Sequence, residues 1–307
     1  MKNIFLYRVL LYYKYVRINE YEKYADLHLK FCQSLGVKGR IVIAPEGING
    51  TISGTEEQTN AYIYAMRMDD RFRDMEFKID NAEGHAFKKL YVRPKNEIVT
   101  LKLEEDIDPN QISGKRLKPA EFLEEMKKDN VVIIDARNDY EFDIGHFKNA
   151  IRPDVRNFKQ FPDWIKKNKE RFKDKKILAY CTGGIRCEKF SGLLLREGLV
   201  DVNQLHGGII AYSKDPITKG SMFEGKCYVF DERISVEVNF AEGYTLIGKC
   251  YHCGKPCDRY VNCAHLSCHF QFICCDECEI KYKRSCSKEC EEAEDHEWNR
   301  KPVSNKN

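Results

Sequence analysis

The sequence predicts an α/β chain in three parts: an N-terminal α+β sandwich, a central domain built on a parallel sheet, and a cysteine-rich C-terminal module. Three observations predict it. Over residues 1–103 strand and helix patterns run in the order β-α-β-β-α-β. After residue 118 two unbroken apolar runs, Val131-Val132-Ile133-Ile134 and Ile177-Leu178-Ala179-Tyr180, alternate with helical stretches, as strands covered on both faces do. Eleven of the fourteen cysteines fall between Cys227 and Cys290.

In the first part, residues 4–9 read as a strand. The wider segment 4–16 is apolar, but Arg8 and Lys14 interrupt it, and it is far shorter than the roughly 20 residues of a membrane helix. No secretory signal is visible. Asn19 is placed to cap a helix reaching Ser34, closed by Gly36. Residues 40–44 and 48–53 pair around the turn Pro45-Glu46-Gly47, and Thr55 caps a second helix. Strands follow at 76–79, 87–91 and 98–101. This is the order of a split βαβ, or ferredoxin-like, sandwich. Residues 104–118, with Asp-Pro, Ser-Gly and mixed charge, read as a linker.

In the second part, residues 119–224, Pro119 opens a helix to residue 128, and the two apolar strands end at Asp135 and Cys181. A helix at 188–197 is closed by Gly198. A strand at 202–205 leads into Gly207-Gly208 and another helix. Ligands of parallel sheets sit beyond the carboxyl ends of strands, where Cys181 stands. Gly183 and Gly184 allow a sharp turn with amides pointing inward. The next helix adds its positive end and Arg186 a full charge, all of which favour a thiolate. Such a sulfur is expected to be nucleophilic and open to a substrate. The plainer reading is a buried structural cysteine before a Gly-Gly turn.

The stretch Asp135-Ala136-Arg137-Asn138-Asp139-Tyr140-Glu141-Phe142 with Gly145-His146, the loop Cys181 to Arg186, and Leu205-His206-Gly207-Gly208-Ile209 resemble the signatures of the rhodanese superfamily. The resemblance implies a central rhodanese-like parallel α/β domain with Cys181 as nucleophile and Arg186 as loop cation. Thr182, Gly183, Gly184 and Ile185 then surround the substrate. Asp135, Glu141 and His146 read as supports of the loop, while Arg137 either supports it or faces the substrate. Further, Gly39-Arg40-Ile41-Val42-Ile43-Ala44-Pro45-Glu46-Gly47-Ile48-Asn49-Gly50-Thr51, Phe230-Asp231-Glu232-Arg233 and the cysteine-rich tail are similar to the bacterial tRNA uridine hydroxylase family. That likeness implies an oxidoreductase forming 5-hydroxyuridine at the wobble position from molecular oxygen, with a required loop cysteine and the tRNA anticodon loop as partner. Cys181 would then add to the uracil ring, at C6. A sulfurtransferase carrying a persulfide on Cys181 and a non-enzymatic binding module stay open as rivals, as does a resolving role for Cys187. The reductant is not legible.

The formal net charge of +3 demands neither a nucleic acid nor a membrane partner. Locally, residues 156–176 carry nine Lys or Arg against three Asp or Glu, interleaved with Phe158, Phe161 and Trp164. Lys159, Lys166, Lys167, Lys169 and Arg171 are therefore candidate RNA contacts near the active edge, with the aromatics available for stacking. The alternative is a solvated amphipathic helix whose aromatics face the core. Arg67, Arg71, Arg73, Lys88, Lys89 and Arg93 are further candidates, and Glu46 and Asn49 either face substrate or build a turn.

After a connecting segment at 225–248, the module at 249–292 holds four close pairs: Cys250 with Cys253, Cys263 with Cys268, Cys275 with Cys278, and Cys286 with Cys290. Paired thiolates fit tetrahedral zinc, here two structural sites, with the first pair joining the third and the second the fourth. Sequential pairing is the rival, metal-free thiols or disulfides another. Cys257, Cys274, His252, His265 and His269 are possible substitutes. Clustered cysteines without a secretory signal point to the cytoplasm. Residues 293–307 read as an acidic, disordered tail.

Overall fold

The computed structural model describes residues 6–299; the expected start of the first strand at residue 4 and the tail from 300 to 307 lie outside the described residues. The first domain runs β1 (Tyr7–Tyr15), α1 (Tyr21–Leu35), β2 (Lys38–Ala44), β3 (Gly47–Thr55), α2 (Glu56–Met68), β4 (Phe77–Ala82) and β5 (Leu90–Pro94). Its sheet has the order β4-β1-β3-β2-β5, antiparallel except where β5 joins β2 in parallel. The first four strands make the ferredoxin-like arrangement. Side chains alternate along a strand, so β1 has two faces. Leu10 and Tyr12 enter the core beneath the helices with Ile41, Ile52 and Tyr62. Leu11, Tyr13 and Tyr15 point the other way, into the second domain.

Local signals decide most boundaries. Thr55 and Gln58 form a reciprocal capping box at the start of α2, and Gly36 ends α1 at a φ of 72°. Asn19 does not cap α1; the helix starts after Glu20, whose φ is 49° and whose side chain makes no cap. The strand expected at 98–101 does not form. Ile98 instead donates its amide to Glu46 Oε1 at 2.7 Å and its carbonyl accepts from Asn49 Nδ2 at 3.2 Å, so hairpin side chains take the groups a ladder would need. Glu46 and Asn49 are thus parts of the turn architecture.

The central domain contains β6 (Lys115–Leu117), α3 (Pro119–Met126), β7 (Val131–Asp135), α4 (Asp139–Ile144), β8 (Gly145–Phe147), α5 (Phe161–Asn168), β9 (Lys176–Tyr180), α6 (Ile185–Arg196), β10 (Val202–Leu205), α7 (Gly208–Lys214) and β11 (Phe223–Gly225). Its parallel sheet has the order β6-β10-β9-β7. Phe161, Ile165, Phe190 and Leu193 from α5 and α6 cover one face; Phe122, Ile209 and Tyr212 from α3 and α7 cover the other. The segment expected to be a free linker is bound on both sides: Ile107 is buried and residues 115–117 are the edge strand β6.

Beyond it lie β12 (Cys227–Tyr228), β13 (Ser235–Val236), β14 (Tyr260–Asn262), β15 (Gln271–Ile273), α8 (Asp276–Lys281) and α9 (Lys288–Glu291). The acidic segment after α9 is not a solvated tail as far as residue 299. His296 is fully buried with Nε2 at 2.8 Å from Ser285 Oγ, and Glu297 N–H donates to Ala264 O at 2.8 Å.

The first two domains are locked at Lys189 of α6. It is fully buried, and its ammonium lies 2.8 Å from Glu46, 3.0 Å from Glu97 and 2.7 Å from Asp106. Removing the cation leaves carboxylates crowded at a half-dry interface. Lys189→Met should therefore lower the unfolding free energy by about 3 kcal/mol in urea titration, and a loss below about 0.5 kcal/mol would refute the lock.

Candidate active site

Cys181 follows β9 directly, and its loop is shaped by what holds the carbonyls. Ile209 N–H donates to Cys181 O at 3.0 Å and Ile210 N–H to Thr182 O at 3.1 Å. These amides open α7 after Gly207 and Gly208, whose φ values are 73° and 67°. A side chain at Gly208 would come within 2.5 Å of Cys181 O, so only glycine permits this approach. With the carbonyls tied outward, the amides turn in, and Gly184 N–H reaches Cys181 Sγ at 3.1 Å. Arg186 stands over the loop, its Nη2 at 2.8 Å from Glu141 Oε2 and 3.3 Å from Thr182 Oγ1.

Burial pushes the Cys181 thiol up, but a hydrogen bond from Cys187, the Arg186 guanidinium and the amides of Cys187 and Gly184 outweigh it and bring its pKa down to about 6. Burial, with Cys181 beside it, holds Cys187 well above the usual thiol range, so Cys187 stays protonated and can donate. The arrangement favours a thiolate at neutral pH in a cradle of amide donors.

That sulfur is not open, as the sequence suggested: Cys181 has 0% exposure. The outer face of β1 lies on the loop. Leu11 packs where a side chain on Gly183 would go, and the Tyr13 hydroxyl where one on Gly184 would go. Tyr13 also donates to Glu188 Oε1 at 3.2 Å, and Tyr15 to Ile185 O at 3.4 Å. A small cavity of about 60 Å³ touches Thr182, lined by Leu11, Lys78, Ile210 and Phe230 among others. Lys78 lies 5.3 Å from the Tyr13 ring, and burial lowers its pKa. Sequence reasoning missed Leu11, Tyr13 and Lys78; the signal available was apolar residues on both faces of β1.

Arg137 has the contacts of a support. It is fully buried, with Nη2 at 2.6 Å from Asp135 Oδ2 and 2.6 Å from Gly145 O, and so ties β7 to β8 behind the loop. His146 stacks on Phe142 at 3.7 Å and its Nδ1 lies 2.9 Å from Phe142 O.

In the cysteine-rich module, the ligand atoms of Cys250, Cys253, Cys275 and Cys278 lie within 4.8 Å of one another, as do those of Cys263, Cys268, Cys286 and Cys290. Each set can hold a metal ion. The hairpin β14–β15 and the short helices α8 and α9 bring first to third pair and second to fourth. Cys257 and Cys274 belong to neither set. His265 Nδ1 is 3.2 Å from Cys290 Sγ, beside the second set.

Three family models match in succession: a UPF0176 acylphosphatase-like domain over residues 7–98, a rhodanese-like domain over 118–215 and a rhodanese C-terminal segment over 224–291. A protein of Bacillus licheniformis called tRNA uridine(34) hydroxylase is 60% identical over 94% of this chain and 89% of its own length. Proteins of the same name from Bacillus velezensis and Bacillus cereus are 59% and 60% identical, over 92% of this chain and 88% and 89% of theirs. The chain belongs to the tRNA uridine(34) hydroxylase family.

For a member of this family, the basic segment at 156–176 lies in an unexpected place. Phe158 and Phe161 are buried in the core and Trp164 packs against it, so none is free to stack on a base. Lys169 binds Glu197 at 3.0 Å, just past the carboxyl end of α6, whereas Cys181 lies at that helix's amino end, roughly 18 Å away at 1.5 Å per residue. Lys169 is thus at the opposite end of the helix from the loop, not near the active edge as the sequence suggested; Lys166, Lys167 and Arg171 are exposed in and just after α5, and Lys159, also exposed, lies just ahead of it. Of the N-terminal basic residues, Arg71 is paired with Asp69 and Lys88 with Glu232.

The charge on Cys181 gives the site its pH signature. Alkylation of the Cys181 peptide by iodoacetamide, followed by mass spectrometry, should be flat above about pH 7 and fall tenfold per unit below about pH 6, as the thiolate is protonated. Arg186→Gln should move that midpoint upward. A wild-type midpoint near about 8.5, the value of a free cysteine, would contradict the cradle.

Proposed function

We propose that the protein hydroxylates C5 of the wobble uridine of tRNA, with Cys181 as nucleophile and molecular oxygen as the oxygen source. The observation that carries this reading is a sulfur held anionic by fixed donors in a chain whose relatives, along nearly their full length, are called tRNA uridine(34) hydroxylase. Cys181 Sγ adds to C6 of the uracil ring, which turns C5 into a carbon nucleophile. C5 takes one oxygen atom from dioxygen. The other leaves as water, using two electrons and two protons from an external donor. Loss of the C5 proton and of Sγ restores the ring double bond. Arg186, Gly184 and Cys187 hold the sulfur charged before attack and receive it after release. Thr182 and the cavity beside it mark where the base approaches. At about 60 Å³ that cavity is far below the roughly 300 Å³ of ligand pockets, so Phe230 and the β1–β4 surface must part to admit uracil.

The metal we assign is zinc, two ions, one in each set of four thiolates. Four sulfurs in each set suit a closed tetrahedral site whose role is to hold the module folded. All fourteen cysteines are free, and among the described residues no helix is long and apolar enough to cross a membrane. A reducing compartment containing tRNA, the cytoplasm, fits both. The relatives' name does not favour a persulfide-carrying sulfurtransferase.

Mass spectrometry of nucleosides should find 5-hydroxyuridine after incubation of unmodified tRNA with the wild-type protein, oxygen and a reductant, and none with Cys181→Ser. Modification by Cys181→Ser at the wild-type rate would sink the mechanism. Metal analysis should find about two zinc ions per chain, one for each cluster, with Cys278→Ser and Cys286→Ser each losing about one. Zinc-free protein with an intact C-terminal module would rule the assignment out.

A further inference from the structure

A line of packed rings and guanidiniums, buried at Arg186 and Tyr228 and open at Phe230 and Tyr251, leads from the Cys181 loop onto the cysteine-rich module. Arg186 lies 5.8 Å from the Phe230 ring, which is 5.1 Å from Tyr228, itself 5.3 Å from Tyr140. Arg156 stands between Tyr140 at 5.0 Å and Phe270 at 4.6 Å. Phe270 meets Tyr251 at 5.8 Å. Phe230 is 46% exposed and Tyr251 57%, while Arg186 and Tyr228, on either side of Phe230 in the line, are buried. Arg156 donates to Gln271 O at 3.0 Å and joins the central domain to β15, with Asp139 3.3 Å away on its other side. Arg40, exposed, reaches Phe230 O at 3.5 Å. At the far end, between α4 and the β14–β15 hairpin, is a cavity of about 550 Å³, lined by Tyr251, Phe270, Arg152 and Arg156 among others. That is the size of a small-ligand pocket.

We propose that the two open rings of this chain of contacts, Phe230 and Tyr251, are the ends of a binding track for the unpaired nucleotides beside the target uridine, with the cavity under Tyr251 at its far end and the buried Tyr228 fixing the Phe230 ring from behind. The proposal rests on the function proposed above and adds where the rest of the loop lies. Two exposed aromatic rings with the exposed or partly exposed guanidiniums of Arg40, Arg152 and Arg156 near them suit single-stranded RNA, in which flat bases alternate with anionic phosphates and any base can stack. The track starts at the loop that holds the nucleophile, so the flanking nucleotides would anchor the target base over Thr182. It also gives the metal-bearing module a task beyond its own folding: it carries the outer half of the binding surface.

The test uses full-length, zinc-loaded protein and an anticodon stem-loop RNA, with binding followed by fluorescence anisotropy. Tyr251→Ala should raise Kd about tenfold, within the range for losing one base–aromatic stack, and Tyr251→Trp should retain the wild-type Kd. Phe230→Ala should weaken binding similarly, with the loss in turnover falling on KM more than on kcat. Metal content measured beside each variant excludes collapse of the module. A Kd unchanged by Tyr251→Ala, or an equal loss on a fully paired stem lacking the loop, overturns the track. Wild-type protein that binds the loop in this manner yet forms no 5-hydroxyuridine overturns the function and leaves the track standing.

Discussion

A sulfur from which water has been removed stays anionic only where fixed donors replace the water. Everything around Cys181 follows from that constraint. The donors are a loop amide, a neighbouring thiol and a guanidinium. None would point at the sulfur unless the loop carbonyls were occupied elsewhere, and Ile209 and Ile210 occupy them. Arg186 in turn has to be kept over the sulfur without being neutralised into passivity. Its two-point contact with Glu141 fixes its plane while leaving its charge within reach of Cys181. The energy that opposes all this is desolvation, and the drop to about 6 says that the donors win.

The same constraint explains why the N-terminal domain sits where it does. It keeps water off the loop. Leu11 and Tyr13 fill the space over Gly183 and Gly184, and the helix behind the loop is gripped from outside at two consecutive residues. Glu188 takes Tyr13 and Arg116, the latter at 2.8 Å, and Lys189 takes three carboxylates. A turn motif such as Pro45-Glu46-Gly47, remote in sequence from Cys181, thereby has a physical link to it: Glu46 holds Lys189, eight residues beyond that cysteine.

How much was legible depended on whether the deciding force was local. The parallel strands, the Gly-Gly turns, the Thr55 cap and the close cysteine pairs are governed by neighbours within a few residues, and the sequence displays them directly. The failures were tertiary. Residues 98–101 have strand character, but Glu46 and Asn49 claim the backbone groups of Ile98, and Glu97 takes the amide of Leu101. Phe158, Phe161 and Trp164 alternate with lysines in the sequence, yet helical geometry gathers them onto one inward face. Charge counting cannot reveal which edge of a sheet a crossover reaches, and Lys169 ended at the far one. Nor can a loop report what covers it: the burial of Cys181 is contributed by β1, read from the sequence only as the first strand of another domain.

The cover over the loop has a consequence for assembly. The hydrogen bond from Tyr13 to Glu188 joins residues 175 apart, and contacts of such long sequence separation form late because the chain between them must first be ordered. The amide cradle is local and can form with the central domain, but its water exclusion waits for docking. During synthesis the N-terminal domain emerges first, so the shield exists before the sulfur it will cover has been made.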